Sequence, residues 1–236
     1  SKEIATQLRG RGLAVKIFPF SFKEILRIKG LNKRALGSDA IANIKRILRE
    51  CIYKGCFPAV VLNEAEAPQF ISELLDLVIF KDIIERYGVE NRVALEFFIK
   101  NAIASNSGIF SVNKVYNSAK SLQIKVSKNT LYGFQKFLED VNVIFFLKKY
   151  SKSVRKTEQS LPKAYVVDNG LYTYTIYKHD LGILMESFVF QELIKKGYEP
   201  NKTLFYFSNG YEVDFVLLEE NRIKQLIQVT YASGRD

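Results

Sequence analysis

The sequence is poor in metal-binding and nucleophilic side chains. Its 236 residues include one histidine, His179, and two cysteines, Cys51 and Cys56. A structural zinc site takes four ligands, mostly cysteine and histidine, so these residues cannot form one, and a single histidine leaves little basis for cysteine–histidine catalysis. Because the two cysteines fall in a predicted helix-to-turn segment of a chain without an export signal, we expect two small buried thiols and no disulfide.

Long apolar runs are also absent. No stretch approaches the roughly 20 uncharged apolar residues of a membrane-spanning helix. Residues 1–12 lack the apolar region of a secretory signal. We therefore expect a cytoplasmic protein without a membrane partner.

Three motifs of common enzyme classes are missing. The chain has no G-x-x-x-x-G-K-[ST] loop to cradle nucleotide phosphates, no G-x-S-x-G nucleophile elbow and no G-x-G-x-x-G dinucleotide fingerprint. We therefore expect that this chain alone neither hydrolyses ATP nor binds a cofactor of these classes.

Positive charge is concentrated in one quarter of the chain. The formal net charge is +10, and residues 109–164 contain eleven lysines and arginines against three acids, an excess of +8. A field concentrated in this way favours a polyanionic partner, with nucleic acid first and an anionic membrane surface second. The alternative is a basic surface that serves solubility alone.

Changes in hydrophobic period divide the chain into three blocks, which together predict an α+β fold. The first block, residues 1–90, is mostly helical. Ser21 and Glu24 have the spacing of a capping box, a second helix over 39–54 ends at a glycine-proline turn, and a long amphipathic helix follows over 68–87.

The second block, residues 91–160, predicts a winged helix-turn-helix. Three helical patterns are followed by an apolar β run at 143–147 and a loosely patterned basic stretch, and in this layout the third helix enters the major groove of DNA. The residues expected on its outer face are Lys128, Asn129, Tyr132 and Lys136. The residues expected to contact phosphates from the wing are Lys148, Lys149, Lys152, Arg155 and Lys156.

The third block, residues 161–236, alternates strands and a helix and predicts a small α/β module. The helix is expected over 185–196. The strands are expected over 164–167, 204–208, 212–218 and 225–230. Because the last of these ends a few residues before Asp236, we expect a module that lacks further elements.

An ordered set of motifs resembles the C-terminal region of prokaryotic AAA-type ATPases that carry a domain of unknown function. The set consists of LRGR at 8–11, FPFSFKE at 18–24, YKGCFP at 53–58, FKDI at 80–83, YVVDNGL at 165–171, MESFVF at 185–190 and YEVDF at 211–215. The resemblance implies a parent protein with an ATPase core that uses ATP and Mg²⁺ and is a partner of this region. It also implies that Arg9 and Arg11 face the nucleotide, with a solvated basic turn as the alternative.

The third block also resembles the restriction-endonuclease-like fold with its PD-(D/E)xK motif. The resemblance implies that Glu186 is the helix acid, Asp214 the strand acid and Gln228 the third group, with Mg²⁺ held by Glu186 and Asp214. Thr230 stands where that chemistry needs a lysine, so the site is expected to be degenerate. The lysines considered as migrated replacements are Lys195, Lys196 and Lys224.

These features leave three functional hypotheses. The first is a DNA-binding and regulatory part of an ATPase, which uses the nuclease-like fold as a scaffold. The second is a metal-dependent nuclease. The third is an interaction module that binds a protein partner or another copy of the chain.

Overall fold

The structure is a computed structural model and describes residues 15–31, 37–177 and 180–231. Arg9, Arg11 and His179 lie outside the described residues. Within them, helices and two small antiparallel sheets form a mixed α+β fold, as the sequence predicts. No helix in these ranges is both long enough and apolar enough to cross a bilayer.

The first block is helical, as predicted. Its elements are α1 (Phe22–Ile28), α2 (Ser38–Lys54), α3 (Pro58–Leu62), a 3-10 turn (Glu64–Glu66), α4 (Ala67–Leu77) and a π-helix (Val78–Glu85). The capping box is confirmed: the Ser21 hydroxyl accepts from the Glu24 amide, and the Glu24 carboxylate accepts from the Ser21 amide at 2.7 Å. The single long helix predicted over 68–87 changes to π geometry at Val78, a change that apolar spacing alone does not reveal.

The second block contains α5 (Arg92–Ala104), α6 (Val112–Ser121), α7 (Lys128–Asp140), β1 (Ile144–Leu147) and α8 (Val154–Gln159). Ser111 and Ser127 cap α6 and α7, as predicted. The prediction of a loosely patterned basic stretch after β1 is wrong in part, because Ser153 caps the short helix α8 there.

A small sheet closes this block. β2 (Lys163–Val166), which was predicted as part of the third block, pairs antiparallel with β1 of the second, and Leu147 lies opposite Lys163. The other edge of β2 is covered by residues 106–110: the Ser107 amide donates to the Ala164 carbonyl at 2.8 Å, and the Phe110 amide donates to the Pro162 carbonyl at 2.7 Å. The order along the chain is therefore helix, short extended segment, two helices and the β1–β2 pair, with α8 in the connection between the two strands.

The third block contains α9 (Asn169–Ile176), α10 (Leu181–Lys195), β3 (Leu204–Ser208), β4 (Glu212–Glu219) and β5 (Arg222–Ile227). The last three form an antiparallel sheet in the order β3-β4-β5. Residues 148–150, which continue β1, join this sheet to the β1–β2 sheet. The Tyr206 amide donates to the Lys148 carbonyl, and the Tyr150 amide donates to the Tyr206 carbonyl.

One hydrophobic core runs through all three blocks. Its large buried side chains include Ile71, Phe98, Phe134, Phe190 and Phe215. Helix α9 packs against α2, α4 and α5, so the third block is anchored in the first two.

Candidate functional site

Helix α7 presents one polar face to solvent. Lys128, Asn129, Tyr132 and Lys136 are exposed. The opposite side of the helix, with Leu131, Phe134 and Leu138, is buried. The four polar residues therefore lie on one face of α7, as predicted, because side chains on a helix repeat about every 3.6 residues.

The first turn of α7 is tied to α6. The Lys128 ammonium lies 5.2 Å from the centre of the Tyr116 ring, within the range of a cation–π interaction. This contact holds the lysine beside the start of α7, where the backbone amides of a helix also favour anions.

The three acids within residues 109–164 interact with other groups of the protein. The Asp140 carboxylate accepts from the Tyr87 hydroxyl at 3.1 Å, and the Glu158 carboxylate accepts from the Lys148 ammonium at 2.6 Å. Burial raises the pKa of Glu139, and the Phe146 amide opposes that rise. The charge of Lys148 is therefore paired, which the sequence did not indicate.

Three of the four remaining wing cations line a separate cleft. Its volume is about 560 Å³, and its lining includes Lys149, Lys152 and Lys156 together with Tyr150 and, from the third block, Phe207. None of the described residues that line it is acidic. Arg155 is exposed on α8, next to Lys156 in the sequence. The wing thus offers positive charge and aromatic rings on one surface.

A second polar site centres on Lys163, which is buried, and its carboxylates range from the buried Asp214 to the half-exposed Glu212. Its ammonium donates to the Glu186 carboxylate at 2.9 Å, lies 3.5 Å from the Asp214 carboxylate and forms an ion pair with Glu212. The Tyr165 hydroxyl also donates to Glu186, at 2.6 Å. Helix α10 and strand β4 thus bring together Glu186 and Asp214, as the resemblance to nucleases implies. We call Lys163, Glu186, Glu212 and Asp214 the carboxylate cluster.

One protein-family model matches the larger part of the chain. The model described as Domain of unknown function (DUF8612) matches residues 45–193, more than half of the chain. The chain belongs to the DUF8612 family. A second model, Domain of unknown function (DUF4143), matches residues 181–235.

Two curated relatives are similar over nearly the whole DUF8612 chain. An uncharacterized protein of Methanocaldococcus jannaschii is 34% identical over 236 residues, which are 98% of this chain and 52% of the relative. An uncharacterized protein of Haemophilus influenzae is 28% identical over 227 residues, which are 94% of this chain and 54% of the relative. The chain spans about half the length of these relatives. No solved structure matches it.

The third predicted member of the nuclease-like site lies at the end of the strand that pairs with β4 in this DUF8612 chain. Gln228 follows the end of β5, and its side chain is exposed, like that of Thr230. Only the backbone of this segment reaches the carboxylate cluster, where the Val229 amide donates to Asp214 at 2.8 Å.

Two of the lysines considered as replacements are engaged elsewhere, and the third lies at the C-terminal end of α10, ten residues after Glu186. Lys195 donates to the Phe20 carbonyl at 2.9 Å, Lys224 pairs with Glu219 at 2.9 Å, and Lys196 is the C-terminal cap of α10. Lys163, one of the eleven basic residues of 109–164, is the lysine of the cluster. The surface formed by residues 109–164 therefore carries one positive charge fewer than the sequence count gives.

The ionisation of the cluster follows from its burial and its charges. Burial lowers the pKa of Lys163, but Glu186 and Glu212 raise it by more, so the net change is upward. Burial raises the pKa of Glu186, and the Lys163 ammonium opposes that rise. Both directions are consistent with several carboxylates sharing one cation.

The cluster does not fit a divalent cation as it stands. No group of three acidic, histidine or cysteine side chains within the described ranges is arranged to hold a metal ion. Carboxylate oxygens bind Mg²⁺ or Ca²⁺ at about 2.0–2.6 Å, and the Lys163 ammonium takes up the space between them. The residues present therefore do not fit the Mg²⁺ that the resemblance implies.

Proposed function

We propose that residues 91–166 form a winged helix that binds duplex DNA, within the regulatory part of a longer ATP-binding protein. The exposed polar face of α7 is the observation that carries this proposal. It combines two lysines, an asparagine and a tyrosine opposite an apolar side. Lysines contact phosphates, and asparagine can read adenine in the major groove.

The topology supports the winged-helix part of the proposal. Three helices are interrupted by a short extended segment after the first and are followed by the β1–β2 hairpin. In winged helices the third helix is the recognition helix, and its N-terminal residues contact base edges. Lys128 and Asn129 lie in that part of α7.

The distribution of charge supports DNA as the ligand. Asp140 and Glu139 lie at the C-terminal end of α7 and have partners within the protein. The cleft lined by Lys149, Lys152 and Lys156 extends the positive surface along the wing. Cations at these positions would bind phosphates without regard to base sequence.

The link to an ATPase is a further part of the proposal. The matched relatives are about twice as long as the aligned region, and the ordered motifs resemble the region that follows an AAA-type ATPase core. We place ATP and Mg²⁺ in that core. Arg9 and Arg11 are proposed to face its nucleotide, and the third block is proposed to be a scaffold without nuclease activity, since Thr230 replaces the required lysine.

A salt series with a labelled duplex tests the DNA-binding proposal. We expect the logarithm of the binding constant to fall linearly with the logarithm of salt concentration. The double variant Lys128→Glu/Lys136→Glu should reduce that slope by about 2, since each phosphate contact contributes about 0.9. Fluorescence anisotropy with a duplex of roughly 20 base pairs, about two helical turns, measures both quantities.

A matched control separates a local contact from net charge. The double variant Lys45→Glu/Lys100→Glu changes the net charge equally but lies on exposed positions of α2 and α5. It should leave the slope within error of the wild-type value. Equal effects of the two double variants, or no binding at low salt, would contradict the proposal and favour the interaction-module hypothesis.

A further inference from the structure

The carboxylate cluster contains its own cation. Lys163 is 3% exposed, whereas most lysines lie at protein surfaces. It reaches from β2 to α10 and β4, where its ammonium meets three carboxylates. A buried ammonium is costly unless its charge is compensated, and these carboxylates supply the compensation.

Two of the carboxylates are held in place independently of the lysine. Glu186 accepts from the Tyr165 hydroxyl at 2.6 Å, and Asp214 accepts from the Val229 amide at 2.8 Å. The Tyr165 ring is stacked on Phe190, with centroids 4.3 Å apart. Glu186 and Asp214 would therefore keep these partners if the ammonium were removed.

We propose that Lys163 permanently replaces a divalent cation in this cluster, and that truncating its side chain creates a divalent-cation site formed by Glu186, Glu212 and Asp214. The geometry carries the proposal, since one ammonium occupies the point towards which three carboxylates converge. It does not depend on DNA binding.

The replacement also links two parts of the chain. Lys163 belongs to the hairpin that flanks α7, whereas its partners belong to α10 and β4. A metal ion held only by α10 and β4 would not make this connection. The lysine thus attaches the hairpin to the third block, a contact that a metal ion in the same place would not supply.

Manganese binding tests the proposal. We expect the wild-type protein to bind no Mn²⁺ through Asp214, and Lys163→Ala to gain one Mn²⁺ site, measured by electron paramagnetic resonance of free Mn²⁺ and by calorimetry. The gain should be lost in Lys163→Ala/Asp214→Asn. Lys152→Ala removes an equal charge from the exposed wing and should gain no site.

Thermal unfolding gives a second readout that needs no activity. At free Mn²⁺ about 100 times the dissociation constant, linkage should raise the folded-to-unfolded ratio of Lys163→Ala about 100-fold, with no such change in the wild type. If Lys163→Ala is unfolded without metal, Mn²⁺ should restore its folding. The proposal would be overturned if the wild type bound Mn²⁺ and lost this binding in Asp214→Asn. It would also be overturned if Lys163→Ala neither bound Mn²⁺ nor folded in its presence.

Discussion

Polar residues lie in two contrasting regions of this protein. The exposed basic face consists of Lys128, Asn129, Tyr132, Lys136 and the wing cations. The buried polar seam consists of Lys163 and Asp214 from the carboxylate cluster, Asp168 and a set of buried amides and hydroxyls: Asn106, Asn169, Ser187 and Gln191. Residues of the seam bond to groups far away in sequence, whereas residues of the face are mostly open to solvent. Changes in the seam should therefore affect folding, and changes in the face should affect binding.

The seam joins all three blocks. The Asn169 amide donates to the Ile52 and Leu184 carbonyls, both at 2.8 Å, and the Gln191 amide donates to Asn169 at 2.8 Å. The Asn106 carbonyl oxygen accepts from the Ser187 hydroxyl at 3.1 Å. Buried hydrogen-bond networks of this kind specify one packing arrangement, so the blocks are not independent folding units.

The largest effect is expected at Gly55, where the first block meets the seam. Gly55 has φ 87° and ψ −175°, a region nearly restricted to glycine, and an added Cβ would lie 1.8 Å from the Asp168 carboxylate. Gly55→Ala should therefore lower the free energy of unfolding by about 3–5 kcal/mol, from backbone strain and overpacking. Urea denaturation measures the loss.

A second glycine provides the control. Gly133 lies within α7, and the nearest atom that an added Cβ would meet belongs to Phe137, at 3.8 Å. Gly133→Ala should stabilise the protein by up to about 1 kcal/mol, because alanine favours helix. A loss in Gly55→Ala no greater than about 1 kcal/mol would contradict the close contact between Gly55 and Asp168.

The next effect is a pH dependence that arises from Asp168. Its carboxylate is fully buried and accepts from the Cys56 and Gly170 amides, at 2.6 and 2.8 Å. Burial raises its pKa from 3.8 to about 6, and the two amides oppose that rise. The folded state therefore binds the proton more tightly than the unfolded state.

The sign of the effect follows from this difference. The stabilising contribution of Asp168 is complete below about pH 4 and is lost as the pH rises through about 6, by up to about 3 kcal/mol. The difference in unfolding free energy between wild type and Asp168→Asn should shrink by most of this amount between about pH 4 and 7, as measured by urea denaturation at several pH values. A difference that is constant or grows with pH would be contrary to the expected direction.

The sequence predicted local features better than distant contacts. The face of α7 and the caps at Ser21, Ser111 and Ser127 follow from spacing within a few residues, and the structure agrees with them. Lys163 could not be recognised in this way, because its partners are 23 to 51 residues away in the sequence. Gln228 was assigned from a motif, but here its side chain is exposed and the segment reaches the cluster through the backbone amide of Val229. The sequence did contain a signal for helix α8, because Ser153 is a typical N-cap residue. It was overlooked because the surrounding residues were interpreted only as a basic stretch.

The smallest effect is expected within the exposed face itself. Lys148 is paired with Glu158, whereas Lys152 is exposed on the wing and lines the basic cleft. If the DNA-binding proposal holds, Lys152→Gln should lower the salt slope by about 0.9. Lys148→Gln/Glu158→Gln removes a pair with no net charge and should leave the slope unchanged, with stability altered by no more than about 1 kcal/mol. Anisotropy measures both slopes, and an equal reduction by the two variants would mean that the Lys148–Glu158 pair opens to bind phosphate.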